Sequence, residues 1–349
     1  MPPDAESFVV MSPYGPAAPS TRVRLYEWLD HLNLSARRGE YAGLGRNGLG
    51  SIASHPAAVV QAERRTRSMV VGVRDSVLLL SREASPWSSG GLESRLLQSA
   101  RRGVYDLDDA LFADRQGWRR MLGKEPKCRR SMESADHVIV GNEYLAEYAA
   151  RYSHDVTVIP TCVEPAAYKH KPTYDLTDRP RLVWLGSPST ERYLLDIAPA
   201  LREVHRRTGA RLTLISVPKE VEHPELDGLT DRAAWNPQST PELLAAADVA
   251  LGPLSDDEYS RGKCAYKLLQ YAASGLPMVG SPVGANKLAL SRFDGLAANT
   301  LDDWIDAITS LLHSSPAERR RRGDTAISAV RAHYSFDVWT DAWKGAVGV

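Results

Sequence analysis

Short apolar runs alternate with longer stretches of helical periodicity along the whole chain, a pattern that predicts parallel strands joined by crossover helices. In the first half the apolar runs are Phe8 to Met11, Ser76 to Leu80, Gly103 to Asp106, His137 to Val140 and Val156 to Ile159. Helical spacing there covers Arg22 to Leu32, Leu92 to Ala100, Gln116 to Ser134 and Glu143 to Arg151. The periodicity fades between Thr161 and Pro180, around Pro165 and Pro172, which reads as a linker. The alternation then restarts. Strands are predicted at Arg181 to Leu185, Arg211 to Val217, Val249 to Gly252 and Pro277 to Gly280. Helices are predicted at Arg192 to Arg207, Thr240 to Ala246, Lys263 to Ala273, Leu301 to Leu312 and Pro316 to His333.

Two successive units of this kind predict an α/β protein of two Rossmann-like domains facing each other across a cleft, with ligands beyond the carboxyl ends of the strands. The expected boundaries are 1–170 and 171–334. A final helix over 335–349, with Trp339 and Trp343 on one face, is expected near the hinge or on the second domain. The length of 349 residues agrees, because a single hydrophobic core usually stops growing before that size.

Charge changes the picture by removing partners. Lys and Arg total 43, as do Asp and Glu, so no general electrostatic attraction to nucleic acid or to an anionic membrane is expected. Three cysteines, Cys128, Cys162 and Cys264, stand far apart and offer neither a disulfide framework nor a CxxC clip. With no apolar leader or spanning run, the sequence reads as a cytoplasmic protein.

The most informative chemistry lies in Arg261-Gly262-Lys263-Cys264-Ala265-Tyr266-Lys267-Leu268-Leu269-Gln270-Tyr271. It places three cations at the mouth of an expected amphipathic helix, whose first N–H groups lack intrahelical partners and whose dipole favours a phosphate or diphosphate. For Lys267 a solvated helix face is the alternative. Earlier, strand Leu182-Val183-Trp184-Leu185 runs into Gly186-Ser187-Pro188-Ser189-Thr190. Gly186 allows close backbone approach, and Ser187, Ser189 and Thr190 offer hydroxyls, so this turn could also hold a diphosphate; a plain helix cap is the alternative.

In the first half, Asp106, Asp108 and Asp109 follow the strand Gly103-Val104-Tyr105 and are expected to face the cleft. Asp108 or Asp109 could deprotonate or orient an acceptor hydroxyl or amine, the alternative being a helix cap. Strand-Asp-x-Asp is also how haloacid-dehalogenase-type phosphatases present a nucleophile and acid, but Ala110 and the position of the motif within its domain count against that reading. Asn142 and Glu143 end a strand and cap a helix. Histidines sit at no ligand spacing, and no required metal is expected.

The segments GSPSTERYL, RGKCAYKLLQYAASGLPMVGSPVG, VYDLDDALF and HVIVGNEYLAEYA, in this order of interest, resemble those of bacterial glycosyltransferases of family 4. The similarity runs from about residue 8 to about residue 345 and implies the GT-B fold. It further implies that Arg261, Lys263 and Lys267 neutralise a leaving nucleoside diphosphate, and that the loop holding Gly15, Arg22 and Arg24 lines the acceptor side, an ordinary rigid turn being the alternative. Asp106 and Asn142, read from their places at strand ends, are the further acceptor-side candidates. The family's Glu-x7-Glu pair is absent: Gly262 stands at the first position and Gln270 at the second, leaving Asp257 or Glu258 as substitutes. The resemblance also implies retention of anomeric configuration, with the leaving phosphate helping to deprotonate the acceptor; were the product inverted, Asp108 or Asp109 would be the base.

The sequence therefore predicts a hexosyltransferase-type enzyme that moves a sugar from a nucleoside diphosphate, taken to be UDP, to a small soluble acceptor such as an aminocyclitol, nucleobase or nucleoside. The donor serves as co-substrate and no further cofactor is expected. An epimerase on the same fold is the other enzyme class the sequence allows.

Overall fold

The computed structural model describes residues 7–16, 18–41, 56–114, 124–217 and 223–349. It divides into two units. The first comprises Met1–Cys162 together with Arg261–Cys264 and Trp339–Val349; the second comprises Val163–Ser260 and Ala265–Val338.

In the first unit six strands form one parallel sheet: β1 (Phe8–Ser12), β2 (Arg37–Glu40), β3 (Val77–Ser81), β4 (Arg102–Leu107), β5 (His137–Val140) and β6 (Val156–Val158). Their order is β2-β1-β3-β4-β5-β6. Direction of growth reverses between β1 and β3, so the loops after these strands diverge and leave a crevice at their carboxyl ends. Strands β1 and β3 are buried along their whole length, which is why they read as continuous apolar runs. Helices Pro56–Gly72, Gly91–Ser99, Lys124–Ser134 and Glu143–Ala149 belong to this unit.

Helix Phe336–Val347 begins in the second unit and gives its residues from Trp339 onward to the first. Trp343 stacks on Trp28 with ring centroids 5.2 Å apart and meets the edge of Phe8 at 6.3 Å. The Arg102 guanidinium donates to the carbonyl of Ala346 at 2.9 Å, fixing the end of this helix beside β4.

In the second unit the strands are β7 (Arg181–Leu185), β8 (Arg211–Ser216), β9 (Thr230–Ala234), β10 (Val249–Gly252), β11 (Met278–Gly280) and β12 (Leu296–Ala297). The order β12-β11-β10-β7-β8-β9, counted from β7 as first, is the 3-2-1-4-5-6 of dinucleotide-binding sheets, with its switch point between β7 and β10. Val183, Ile215, Ala250, Leu269, Ala272 and Met278 pack one face of this sheet; Trp184, Leu201, Leu212, Leu251, Trp304 and Ile308 pack the other.

Element expectations change at several places. The helix predicted from Lys263 begins at Tyr266, because Ala265 is left-handed at φ 55° and breaks the helical path before it. Arg261 and Lys263 therefore do not stand on its first turn. Helix Pro56–Gly72 carries Arg64, Arg65 and Arg67 and has only two buried residues, Ala62 and Thr66, so its apolar signal is weak. Of the helix expected over Gln116 to Ser134, residues 115–123 lie outside the described residues. Among the described residues no helix is long and apolar enough to cross a membrane.

Candidate active site

The register of β3 on β4 aligns Ser81 with Asp106, so the residues after these two strands meet at one end of the first sheet. Asp106 itself is sealed: it is 2% exposed, and Arg24, 3% exposed, donates to it at 2.5 Å while Ser81 Oγ donates at 3.1 Å. Arg24 also donates to the carbonyl of Ile159 at 2.8 Å, so its charge and several of its donors are satisfied below the surface. Arg22 pairs with Glu27 at 3.0 Å. The two arginines and Asp106 thus serve each other and their neighbours within the unit.

Above this buried pair stands Arg82, which the sequence reading did not single out. It occupies the left-handed region at φ 68°, a conformation that a non-glycine residue keeps only where surroundings over-determine it. Here they do. The Arg82 amide donates to the Asp106 carbonyl at 3.0 Å, and the Tyr105 hydroxyl donates to the Arg82 carbonyl at 2.8 Å. The side chain is thereby aimed at both candidate bases. Its Nε lies 3.2 Å from Asp108 Oδ1, its Nη2 bonds Asp109 Oδ2, and its Nη1 donates to Ser20 Oγ at 3.2 Å.

Asp108 and Asp109 differ in environment. Burial lifts the Asp108 carboxyl to about 6, opposed by the Arg82 charge and reinforced by Asp109 and Asp106. Asp109 is shared by Arg82 and Lys263, whose Nζ lies 3.5 Å from Asp109 Oδ1. Segment Arg261–Cys264 is fitted to this end of the first sheet by backbone contacts. Asn142, which also caps helix Glu143–Ala149 by accepting from Leu145 N–H at 2.9 Å, donates to the carbonyls of Lys263 at 3.1 Å and Arg261 at 3.4 Å. The Cys264 thiol donates to the Asp108 carbonyl at 3.0 Å. A Cβ on Gly262 would lie 2.5 Å from the Ala110 nitrogen, which explains the glycine: the segment passes too close to the Asp109–Ala110 backbone for a glutamate there.

Gly15 follows β1, and a Cβ on it would meet Glu40 Oε2 at 3.1 Å; Glu40 in turn accepts from the Tyr26 hydroxyl at 2.7 Å. The structure thus gathers Ser20, Arg82, Asp108, Asp109, Asn142 and Lys263 into one polar network. It places Arg24 and Asp106 beneath it.

In the second unit the turn after β7 forms the helix cap that its spacing allows. Ser187 caps the short helix Pro188–Thr190, the Ser187 amide donates to Thr190 Oγ1 at 3.2 Å, and the Ser187 and Ser189 hydroxyls lie 3.0 Å apart. Lys267 reaches this turn from helix Tyr266–Ala273. Its Nζ lies 4.6 Å from the centroid of the Trp184 ring and donates to Thr190 Oγ1 at 3.3 Å. A cation over an indole face is held electrostatically, so Lys267 is constrained rather than waving in solvent. Gly186 is required by the same packing: a Cβ would lie 2.3 Å from Trp184 Cη2 and 2.9 Å from Lys267 Cε. Gln270 lies on the same helix and is 6% exposed. Asp257 accepts from the Ser260 amide at 2.7 Å, and Glu258 opens helix Glu258–Arg261.

The arrangement offers hydroxyls, a fixed cation and a switch point in one unit, and two carboxylates clamped by cations in the other. Among the described residues no group of three or more His, Cys, Asp or Glu is placed to hold a metal ion.

Comparison with known proteins bears on both units. A family model for glycosyl transferases group 1 matches residues 179–314, and these residues form a glycosyltransferase domain. The solved structure of Anabaena Alr3699/HepE in complex with UDP and glucose superposes with a TM-score of 0.73 at 11% identity, over 98% of this chain and 99% of that one. The fold is GT-B. WaaG, described as a glycosyltransferase involved in lipopolysaccharide biosynthesis, superposes with a TM-score of 0.65 at 12% identity, over 98% of this chain and 100% of the other. A UDP-forming α,α-trehalose-phosphate synthase from Burkholderia vietnamiensis gives 0.66 at 12% identity, over 98% and 96%. TarM gives 0.60 at 12% identity over 79% of this chain, which spans only 55% of TarM's length. No curated protein matches the sequence.

Proposed function

We propose that this GT-B protein is a family 4 type glycosyltransferase, taking a sugar from a nucleoside diphosphate on the second unit and an acceptor on the first. The observation that carries the reading is Lys267. It is stacked on Trp184 and bonded to Thr190 beside a glycine turn at the switch point of a 3-2-1-4-5-6 sheet. A diphosphate there meets hydroxyls and a fixed positive charge, which favour it as a leaving group when the glycosidic C–O bond breaks. UDP is the preferred nucleotide, supported by the UDP-bound Anabaena structure and the UDP-forming synthase among the GT-B relatives.

On the first unit Asp108 is the group proposed to receive or steer the acceptor proton, with Asp109 beside it. Two carboxylates suit a polyol amine, because they accept from hydroxyls and ammonium groups alike, so a small acceptor such as an aminocyclitol is favoured over nucleobase or nucleoside. A cytoplasmic location and retention of configuration belong to the same reading; with retention the leaving phosphate helps take the acceptor proton and Asp108 steers the acceptor, whereas an inverted product would make Asp108 or Asp109 the base. The phosphatase alternative is disfavoured by Asp106, whose carboxylate is committed to Arg24 and Ser81.

Titration calorimetry with UDP, followed by incubation of UDP-glucose with a panel of aminocyclitols and nucleosides, tests it. Binding of UDP and acceptor-dependent release of UDP are expected. Absence of UDP affinity in folded protein overturns the donor assignment, and isomerisation of the donor without acceptor would favour an epimerase.

A further inference from the structure

Strands β7 and β10 pair at Leu182 with Val249 and at Val183 with Ala250. Beyond these pairs, at Leu185 and Leu251, the cross-strand bond is replaced by a side chain. The Leu185 amide donates to the Tyr271 hydroxyl at 2.9 Å, and that hydroxyl donates to the Leu251 carbonyl at 3.2 Å. These backbone groups belong to neighbouring strands, and in an unbroken parallel ladder such groups bond across the pair. A phenol has one donor and can also accept, so a single tyrosine hydroxyl satisfies both strands while holding them apart. The side chain is fully buried. Burial pushes its ionisation well above the ordinary range, so the proton needed for the bond to Leu251 is always present.

Tyr271 and Lys267 lie four residues apart on helix Tyr266–Ala273, one turn apart on the same face. The hydroxyl inserted between the strands therefore sets the height and rotation of the helix that carries Lys267 to Trp184 and Thr190. We propose that Tyr271 is a positioning residue of the donor site: its hydroxyl stands in for a ladder bond at the switch point and, through the helix, fixes Lys267 over the Gly186–Thr190 turn. The inference rests on the reading of that turn as the place of the donor diphosphate.

The test is a double-mutant cycle in UDP binding by the full chain, read by calorimetry on wild type, Tyr271→Phe, Lys267→Ala and the double variant. Loss of the Lys267 contact is expected to raise Kd about thirtyfold and loss of the hydroxyl about tenfold, with the double variant no weaker than Lys267→Ala because one residue acts through the other. If wild type does not bind UDP, the donor reading fails and the inference with it. If wild type binds but Tyr271→Phe binds equally well, or the double variant loses the product of the two effects, the inference alone is overturned. Should Tyr271→Phe fail to fold, 3-fluorotyrosine at position 271 keeps the ring and weakens the hydroxyl as an acceptor. A raised Kd at unchanged melting temperature supports the assignment, and an unchanged Kd overturns it.

Discussion

The Arg82 guanidinium lies 3.2 Å from the Asp108 carboxylate and reaches it from a left-handed backbone position that Asp106 and Tyr105 hold by hydrogen bonds. The cation is fixed by the fold itself. It opposes the burial that raises Asp108, so the proton affinity of this carboxyl is a balance of two large effects.

That balance sets a pH dependence. With Asp108 near 6, the unprotonated form accumulates above that value, and kcat/KM is expected to rise about tenfold per pH unit below it and level off above. Stability runs the opposite way. The native state holds this proton more tightly than the unfolded chain, so the contribution is greatest below the ordinary carboxyl value of 3.8 and is lost as pH rises through about 6. Asp108→Asn should remove the acid limb of the profile and lower kcat by about a hundredfold or more. An unaltered limb in the variant would assign it to another group.

Removing Arg82 takes away the charge that lowers Asp108. Arg82→Met should therefore move the acid limb to higher pH, while leaving two close carboxylates to repel each other at a cost of roughly 3 kcal/mol in urea unfolding. Arg82→Lys keeps the charge but not the fork that spans Asp108, Asp109 and Ser20, and should restore the limb more than the rate. pH profiles of the two variants measure this.

Gly186→Ala probes the second unit without touching a charge. The added carbon would overlap Trp184 and crowd Lys267 Cε at 2.9 Å, so the lysine must shift from its seat on the ring. UDP affinity is expected to fall by about tenfold or more, with a loss of about 1 to 3 kcal/mol in stability from the overpacking. Calorimetry and denaturant unfolding on the same preparation separate the two.

The Arg24–Asp106 pair is buried on both sides, so its parts should be far more costly to remove singly than together. Arg24→Met strands a buried carboxylate and is expected to cost about 3 to 5 kcal/mol, whereas the Arg24→Met, Asp106→Leu double variant should recover much of that. Urea midpoints check the ordering.

How far the chain could be read depended on where each residue lies in its sheet. Buried strands such as Phe8–Ser12 and Arg181–Leu185 carry apolar runs that admit one interpretation, and the two-unit α/β fold follows from them. Three of the four edge strands escaped. Arg37–Glu40, Thr230–Ala234 and Leu296–Ala297 lie at or beside solvent, so their sequences have no reason to be apolar. The Gly186–Thr190 turn was legible as a turn because Gly186, Ser187 and Thr190 act where they stand in the sequence. Arg82 was not, because a single arginine after an apolar run acquires meaning only from the β3–β4 register that brings Asp108 and Asp109 beside it. Tyr271 looks like any core aromatic until its hydroxyl is seen to bridge two strands.

The stacking of Trp343 on Trp28, and its edge-on contact with Phe8, have a consequence for biosynthesis. A nascent chain that has emitted all six strands of its first sheet still lacks the indole that completes their packing, and must wait for nearly two hundred more residues before Trp343 leaves the ribosome. Until then Trp28 and Phe8 lack the ring that covers them, so the first unit completes its packing only after the second has been synthesised.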